Sequence, residues 1–182
     1  MTHVRHLMRL ELGDVAGPHR RPADLRTFHP DDVPDLAALM LDAYAGTVDF
    51  ESGATLGDAT AELQALLRGE YGTFLPEFSR VAEVQGHLAG AVLVTRWGPD
   101  ALPFVAFTMT AAKAKGQGIA RQTMTAVLVA LQQAGEGAIQ LVVTADNTPA
   151  VRLYGSLGFR VMPRAVPASE PPEDVCEGIS GA

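Results

Sequence analysis

Chemistry concentrates first in residues 108–121, Thr-Met-Thr-Ala-Ala-Lys-Ala-Lys-Gly-Gln-Gly-Ile-Ala-Arg. An apolar run enters a small basic loop, and a helix opens directly behind it. Gly116 and Gly118 stand one residue apart, so the backbone can turn its N–H groups toward one point without side chains in the way. The helix start adds unpaired N–H groups and the positive end of its dipole. That combination suits a phosphate group. The chain has two lysines, Lys113 and Lys115, and both lie in this loop. An ordinary strand-to-helix connection would carry the same glycines, so the loop alone does not decide between structure and binding. A second group of polar residues follows downstream: Asn147, at the end of an apolar run, and Tyr154, seven residues on. Ala150, Leu153, Tyr154 and Leu157 form an apolar stripe at helical spacing, so Tyr154 packs whether or not it also acts.

The elements that must position these residues can be read from periodicity. Ala23 to Phe28 predicts a strand. His29-Pro30-Asp31-Asp32 predicts a helix start, followed by Val33, Leu36, Leu39, Met40 and Ala43 at helical spacing and stopped by Gly46. Residues 47–58 read as a loop containing Asp49 and Glu51, and a second helix is expected over about 59–68. A hairpin joins 80–85 to 88–96, with its turn at Gly86-His87. Residues 102–110 are nearly continuously apolar, which predicts a central strand covered on both faces. A third helix is expected over 119–134, and a strand over 139–145. Thr148 can cap a short last helix with Pro149 at its first turn. Gly158 suits the left-handed residue that ends it, with Phe159 packing back. Phe159 to Met162 gives a last short strand. The expected architecture is α/β: a mixed, mostly antiparallel central sheet of about six to seven strands flanked by four helices.

Composition bounds the rest. A length of 182 residues fits one domain, and 47% apolar residues can fill a core. Residues 1–22 read as an N-terminal extension with a linker at 13–22, residues 23–164 as the domain, and residues 165–182 as an acidic, proline-rich, disordered tail. The net charge of −7 argues against a nucleic-acid surface. The single cysteine, Cys176, excludes an internal disulfide and a cysteine-rich metal site. His3, His6 and His19 lack helix-borne zinc spacing, so no metal is expected. No stretch is apolar enough to span a membrane, and the charged N-terminus does not read as a signal peptide, so a cytoplasmic protein is expected.

Two motifs carry a resemblance. Lys115-Gly116-Gln117-Gly118-Ile119-Ala120 resembles the Q/R-x-x-G-x-G/A signature of the GNAT superfamily of N-acetyltransferases. Residues 147–159, Asn-Thr-Pro-Ala-Val-Arg-Leu-Tyr-Gly-Ser-Leu-Gly-Phe, resemble its second signature, N-x-x-A-x-x-x-Y-x-x-x-G-F. The resemblance covers about residues 23–162. It implies the acyl-CoA N-acyltransferase fold, with acetyl-CoA as acetyl donor and an amine acceptor. Acetyl transfer would be direct, through a tetrahedral intermediate.

By that resemblance, the donors of Lys115, Gly116, Gln117, Gly118, Ile119, Ala120 and Arg121 meet the cofactor pyrophosphate. The pantetheine arm pairs near Met109 and Thr110, in a gap between two splayed strands, and Asn147 holds its polar arm. Tyr154 is implied as the general acid to the departing thiolate. Lys115 stands where the family usually has Gln or Arg, and offers a point charge rather than a fork. Protein N-terminal acetylases of the superfamily often carry Glu five residues before the Asn; here that residue is Val142, which argues against a ribosomal-protein acceptor.

An alkyl amine must lose a proton before it attacks. Asp49 and Glu51 border the acceptor site in the family, and are equally readable as solvated loop acids. A small-molecule primary amine is the expected acceptor. Alternatives are a protein amine, a non-catalytic acyl-CoA-binding module that has no need of Tyr154, and a nucleotide-triphosphate enzyme, which would want the longer G-x-x-x-x-G-K-[ST] loop. No partner strand for residues 160–162 is visible downstream. The segment 4–12, or the mate in a homodimer, is expected to cover that edge.

Overall fold

A computed structural model describes residues 4–13, 23–49 and 53–163. The tail expected at 165–182 and the linker over 14–22 lie outside these residues. The described chain forms one mixed sheet of eight strands with four α-helices. Seven strands run in the order β2 (Asp24–Thr27), β4 (Arg80–Val84), β5 (His87–Trp97), β6 (Leu102–Thr110), β7 (Ala138–Thr144), β1 (Arg5–Glu11), β8 (Arg160–Val161). The two-residue β3 (Thr73–Phe74) pairs with β5, in a segment that the sequence pattern presents as a loop. All pairings are antiparallel except β6 with β7.

The helices follow their caps. Helix α1 (Val33–Tyr44) is entered through a 3-10 turn, where the Asp32 carboxylate accepts from the His29 N–H at 2.7 Å. It buries Leu36, Ala37, Leu39, Met40 and Ala43. Helix α2 (Leu56–Leu67) starts three residues before the apolar periodicity suggests. Thr55 and Asp58 close a reciprocal capping box, with Thr55 N–H to Asp58 Oδ2 at 2.7 Å and Asp58 N–H to Thr55 Oγ1 at 3.2 Å. The β4–β5 turn falls on Gln85-Gly86, one residue before the expected place. Both residues have positive φ, 53° and 77°, as a two-residue hairpin turn with the strand's twist requires. In α4 (Thr148–Ser156) the cap is Asn147 rather than Thr148: its side chain accepts from the Ala150 N–H at 3.2 Å.

Two apolar layers cover the sheet. Helices α1 and α2 pack on the face carrying Ala91, Leu93, Phe107 and Met109. Helix α3 (Ile119–Gln133) packs on the other, with Met124, Val127, Leu128 and Leu131 against Val92, Val94, Val105 and Leu141, and Tyr154 and Phe159 join that layer. Each fully buried side chain of this kind contributes about 1.5–3 kcal/mol relative to exposure.

The sheet takes in part of the segment that the sequence pattern sets apart as an extension. Strand β1 pairs along its whole length with β7, Arg5 opposite Thr144 through Glu11 opposite Ala138. Strand β8 then pairs with β1, Met8 opposite Val161. The chain's own N-terminal strand thus covers the edge left bare beside residues 160–162, and β1 is an interior strand.

Candidate active site

The parallel pair β6–β7 is short in an otherwise antiparallel sheet. Its register holds only where Phe104 faces Gln140 and Val105 faces Leu141. Beyond that point the two strands part. Residues 106–108 and Thr110 on one side and 142–144 on the other line the walls of a cleft of about 640 Å³, within the usual range for a ligand site. The cleft runs from the α1 side, at Met40, Ala43 and Tyr44, to the α4 side, at Ala150, Leu153 and Tyr154.

At its mouth stands the glycine loop. Gly116 and Gly118 have φ of 77° and 84°, and a Cβ at either would meet nothing within 4 Å. They are glycines for backbone conformation, and the space beside them is open. The Gln122 N–H donates to Gly118 O at 3.0 Å. Ahead of it, the N–H groups of Gly118, Ile119, Ala120 and Arg121 have no acceptor among the described residues, as a helix start dictates. The loop is held from below by the end of α1. Asp42 Oδ2 accepts from the Ala112 N–H at 2.6 Å, and Lys115 Nζ donates to Ala43 O at 2.7 Å. Lys115 therefore sits at the negative end of the α1 dipole while its loop faces the cleft.

Alternation fixes what β6 presents. The Ala111 N–H donates to Ala89 O at 2.9 Å, toward β5. The main-chain groups of Met109 therefore also face β5, and those of Thr108 and Thr110 face the gap. Met109 is fully buried and absent from the cleft wall, whereas Thr108 and Thr110 line it. Thr108 Oγ1 is buried with no hydrogen-bond partner among the described residues. A buried hydroxyl left so is costly unless something in the gap meets it. Nothing in the sequence pattern singles out Thr108 beyond its even spacing from Thr110.

The other expected site residues divide. Lys115, Gly116, Gly118, Ile119, Ala120, Arg121, Asn147, Tyr154 and Asp49 all line the cleft. Gln117 points away, its Nε2 donating to Lys113 O at 2.8 Å. Arg121 pairs through Nη2 with Ser156 Oγ, tying α3 to α4. Glu51 lies outside the described residues. Asp49 bridges the loop after α1 to the end of β7: it accepts from Thr144 Oγ1 at 2.6 Å and from Asn147 Nδ2 at 2.7 Å. With Oδ1 capping α4, the Asn147 carboxamide is engaged at both ends within the chain. Tyr154 is 7% exposed and packs edge-on against Phe159, ring centres 5.8 Å apart, while still bordering the cleft. Gly158, at φ 98°, ends α4 in the left-handed conformation that sequence spacing suggests.

A sheet that opens at a parallel pair, with a helix N-terminus at the opening, is a site for an elongated ligand with an anionic end. The profile of the Acetyltransferase (GNAT) family matches residues 42–159. The chain belongs to the GNAT family. It is 33% identical over 166 residues to a mycothiol acetyltransferase from Renibacterium salmoninarum, covering 86% of this chain and 48% of that protein. The chain thus spans about half the length of that relative. A GCN5-related N-acetyltransferase from Sphaerobacter thermophilus superposes with a TM-score of 0.65 at 20% identity, over 87% of this chain and 48% of that one. The yncA protein of Salmonella typhimurium, solved with its cofactor acetyl-CoA, superposes with a TM-score of 0.59 at 17% identity, over 78% and 81%. These structural likenesses carry the fold. The GNAT sheet is the mixed sheet described above, and its two signatures fall on the mouth and the inner wall of the cleft.

The cleft of this GNAT chain also fits the family's acetyl donor on its own geometry. The α3 amides offer donors to a diphosphate, and the main-chain groups of Thr108 and Thr110 face the gap as an amide-bearing arm requires. No group of three or more His, Cys, Asp or Glu suited to a metal occurs among the described residues. No helix among them is long and apolar enough to cross a membrane.

Proposed function

We propose that this GNAT domain is an acetyl-CoA-dependent N-acetyltransferase that moves an acetyl group directly onto a primary amine of a small molecule. One observation carries the reading: β6 and β7 part just where the α3 amides stand at one end of the gap and the Tyr154 ring borders the other. The diphosphate binds at 116–121. The arm pairs with the Thr108 and Thr110 main chain as an added strand would. This delivers the thioester toward Tyr154, whose hydroxyl protonates the leaving thiolate. A phenol is a weaker acid than a thiol, so the transfer depends on position and on charge developing at sulfur. Asp49, held at the rim by Thr144 and Asn147, presents a carboxylate to a cationic acceptor. Because Asn147 is spent on Asp49 and on the α4 cap, its role is to shape the rim.

A small acceptor is favoured by the relative at 33% identity, whose name refers to mycothiol, a small molecule. The test is a thermal-shift titration with acetyl-CoA, followed by thiol release on adding a panel of primary amines. Saturation at a hundred times the dissociation constant should stabilise the fold by about 2.7 kcal/mol. No shift with acetyl-CoA would refute the reading. A shift without thiol release from any amine would leave the non-catalytic acyl-CoA module in its place.

A further inference from the structure

The cleft wall on the α1–α2 side carries a carboxylate that the proposed reaction has not yet used. Glu62 lies on α2, 9% exposed, and borders the same cleft as Tyr154. Its Oε1 accepts from the Tyr71 hydroxyl. Tyr71 is itself buried and stands edge-on to Phe107 of β6, ring centres 5.9 Å apart. The carboxylate is thus held in place by a group that is in turn packed against the strand forming one wall of the gap. Much of that side of the cleft is apolar: Met40, Ala43, Phe107. Placing an anion in such a wall costs desolvation energy. On α2 it occupies a position of the buried stripe Ala59, Glu62, Leu63, Leu66, where an apolar residue would pack at no such cost.

The two faces of the sheet give this position its meaning. Phe107, and with it Tyr71, belongs to the α1–α2 layer; Tyr154 belongs to the α3–α4 layer. The cleft passes through the sheet between them. A thioester held in the gap has the phenol on one side and the carboxylate on the other. We infer that Glu62 is the general base for the acceptor amine, with Tyr71 as its positioning residue. The inference rests on the proposed acetyl transfer. In the step, the acceptor ammonium gives one N–H proton to a Glu62 carboxylate oxygen, the freed nitrogen lone pair forms the new C–N bond, and the second N–H proton of the tetrahedral intermediate leaves to water. The C–S bond breaks, and the sulfur takes its proton from the Tyr154 hydroxyl. Exchange with water then returns a proton to Tyr154 and removes one from Glu62.

The experiment compares Glu62→Gln and Tyr71→Phe with wild type, using benzylamine, cadaverine and glucosamine as cationic acceptors and hydroxylamine as one that is mostly neutral at pH 7, each rate taken above the uncatalysed reaction of that amine with acetyl-CoA. Acetyl-CoA affinity, from the thermal shift, is measured first for all three proteins. Glu62→Gln is expected to keep that affinity and to lose about 10²–10⁴-fold in kcat on whichever cationic amine the wild type uses. Its loss on hydroxylamine should be much smaller, and its kcat/KM on the cationic amine should rise with pH toward the amine's own pKa, more steeply than wild type. Tyr71→Phe keeps the carboxylate, so it should keep the wild-type pH profile and lose less. Equal losses on cationic and neutral amines, or equal losses in both variants, would overturn the assignment and make the pair a structural contact. So would an E62Q rate within about threefold of wild type. Wild type that binds acetyl-CoA but acetylates none of the four amines would overturn both the base and the small-amine reading. Wild type that does not bind acetyl-CoA would overturn the proposed function itself.

Discussion

At the scale of single residues, packing and chemistry fall on the same side chains. Tyr154 is a member of an apolar layer and a border of the cleft, so its two roles must be separated by a change that spares the ring. Tyr154→Phe keeps the contact with Phe159 and removes the hydroxyl. We expect acetyl-CoA affinity within about twofold of wild type and kcat lower by about 10²-fold or more, read as thiol release. Equal rates would point to the non-catalytic module.

Asp32 is a purely structural counterpart. Burial alone would raise its carboxyl, but the bidentate bonds from Arg26 at 2.7 and 2.8 Å and the His29 N–H outweigh it and hold the carboxyl below the usual carboxylate range. A carboxyl lowered by folding stabilises the fold at pH values above its unfolded value of about 4, and that contribution is lost as pH falls through the lower folded value. Thermal melts of wild type should therefore fall as pH drops below about 4, and Asp32→Asn should flatten that slope. Sequence showed the loop glycines, Tyr154 and the helix-start acids because each belongs to a local pattern. It hid Glu62 because a single acid in a helix reads as solvated. The recoverable signal was its place on the 59–62–63–66 stripe.

At the scale of elements, the cradle is a loop whose shape is imposed from two sides. Gly118, the residue before α3, has φ 84°, and Asp42 and Ala43 of α1 clamp residues 112 and 115. A side chain at Gly118 has room, but its backbone would be strained by about 1–2 kcal/mol. Gly118→Ala is therefore expected to weaken acetyl-CoA binding about tenfold, measured by calorimetry, with the melting temperature of the free protein changed by a few degrees at most. Gly90 gives the contrast. A Cβ there would lie 2.8 Å from Ile119 Cγ2 and 3.1 Å from Met109 O, so the cost falls on sheet packing. Element types were legible because their periodicities are local. The parting of β6 from β7 was not: it depends on which residues pair across a parallel crossover, and only the family resemblance pointed to it. The same holds for Met109 and Thr108, whose facing is set by one hydrogen bond from Ala111 to Ala89.

At the scale of the molecule, one lip of the cleft depends on a strand about 130 residues away in sequence. Among the described residues, β7 is paired at its outer side by β1 alone, and β8 by β1 alone. Met8 and Leu12 are each 2% exposed and belong to the α3 layer. The sequence offers 4–12, or a dimer mate, as cover for the edge beside residues 160–162, but it does not show the pairing with β7, because the segment is short, carries Arg5, Arg9 and Glu11, and is followed by glycines and prolines that read as a linker. The pairing supplies what the letters lack: Leu12 N–H donates to Gly137 O, and Ala145 N–H to Val4 O, so the strand is fastened at both ends. Removing residues 1–12 should leave the β7 edge open and two core positions empty, giving association on size-exclusion chromatography. A milder change keeps the strand. Met8→Ala should cost about 2–5 kcal/mol, while Arg9→Ala, at a partly exposed position of the same strand, should cost under about 1 kcal/mol. Because β7 forms the cleft wall, saturating acetyl-CoA should return about 2.7 kcal/mol of the Met8→Ala loss at a hundred times its dissociation constant. If Met8→Ala melts like wild type, the N-terminal strand does not hold this sheet together.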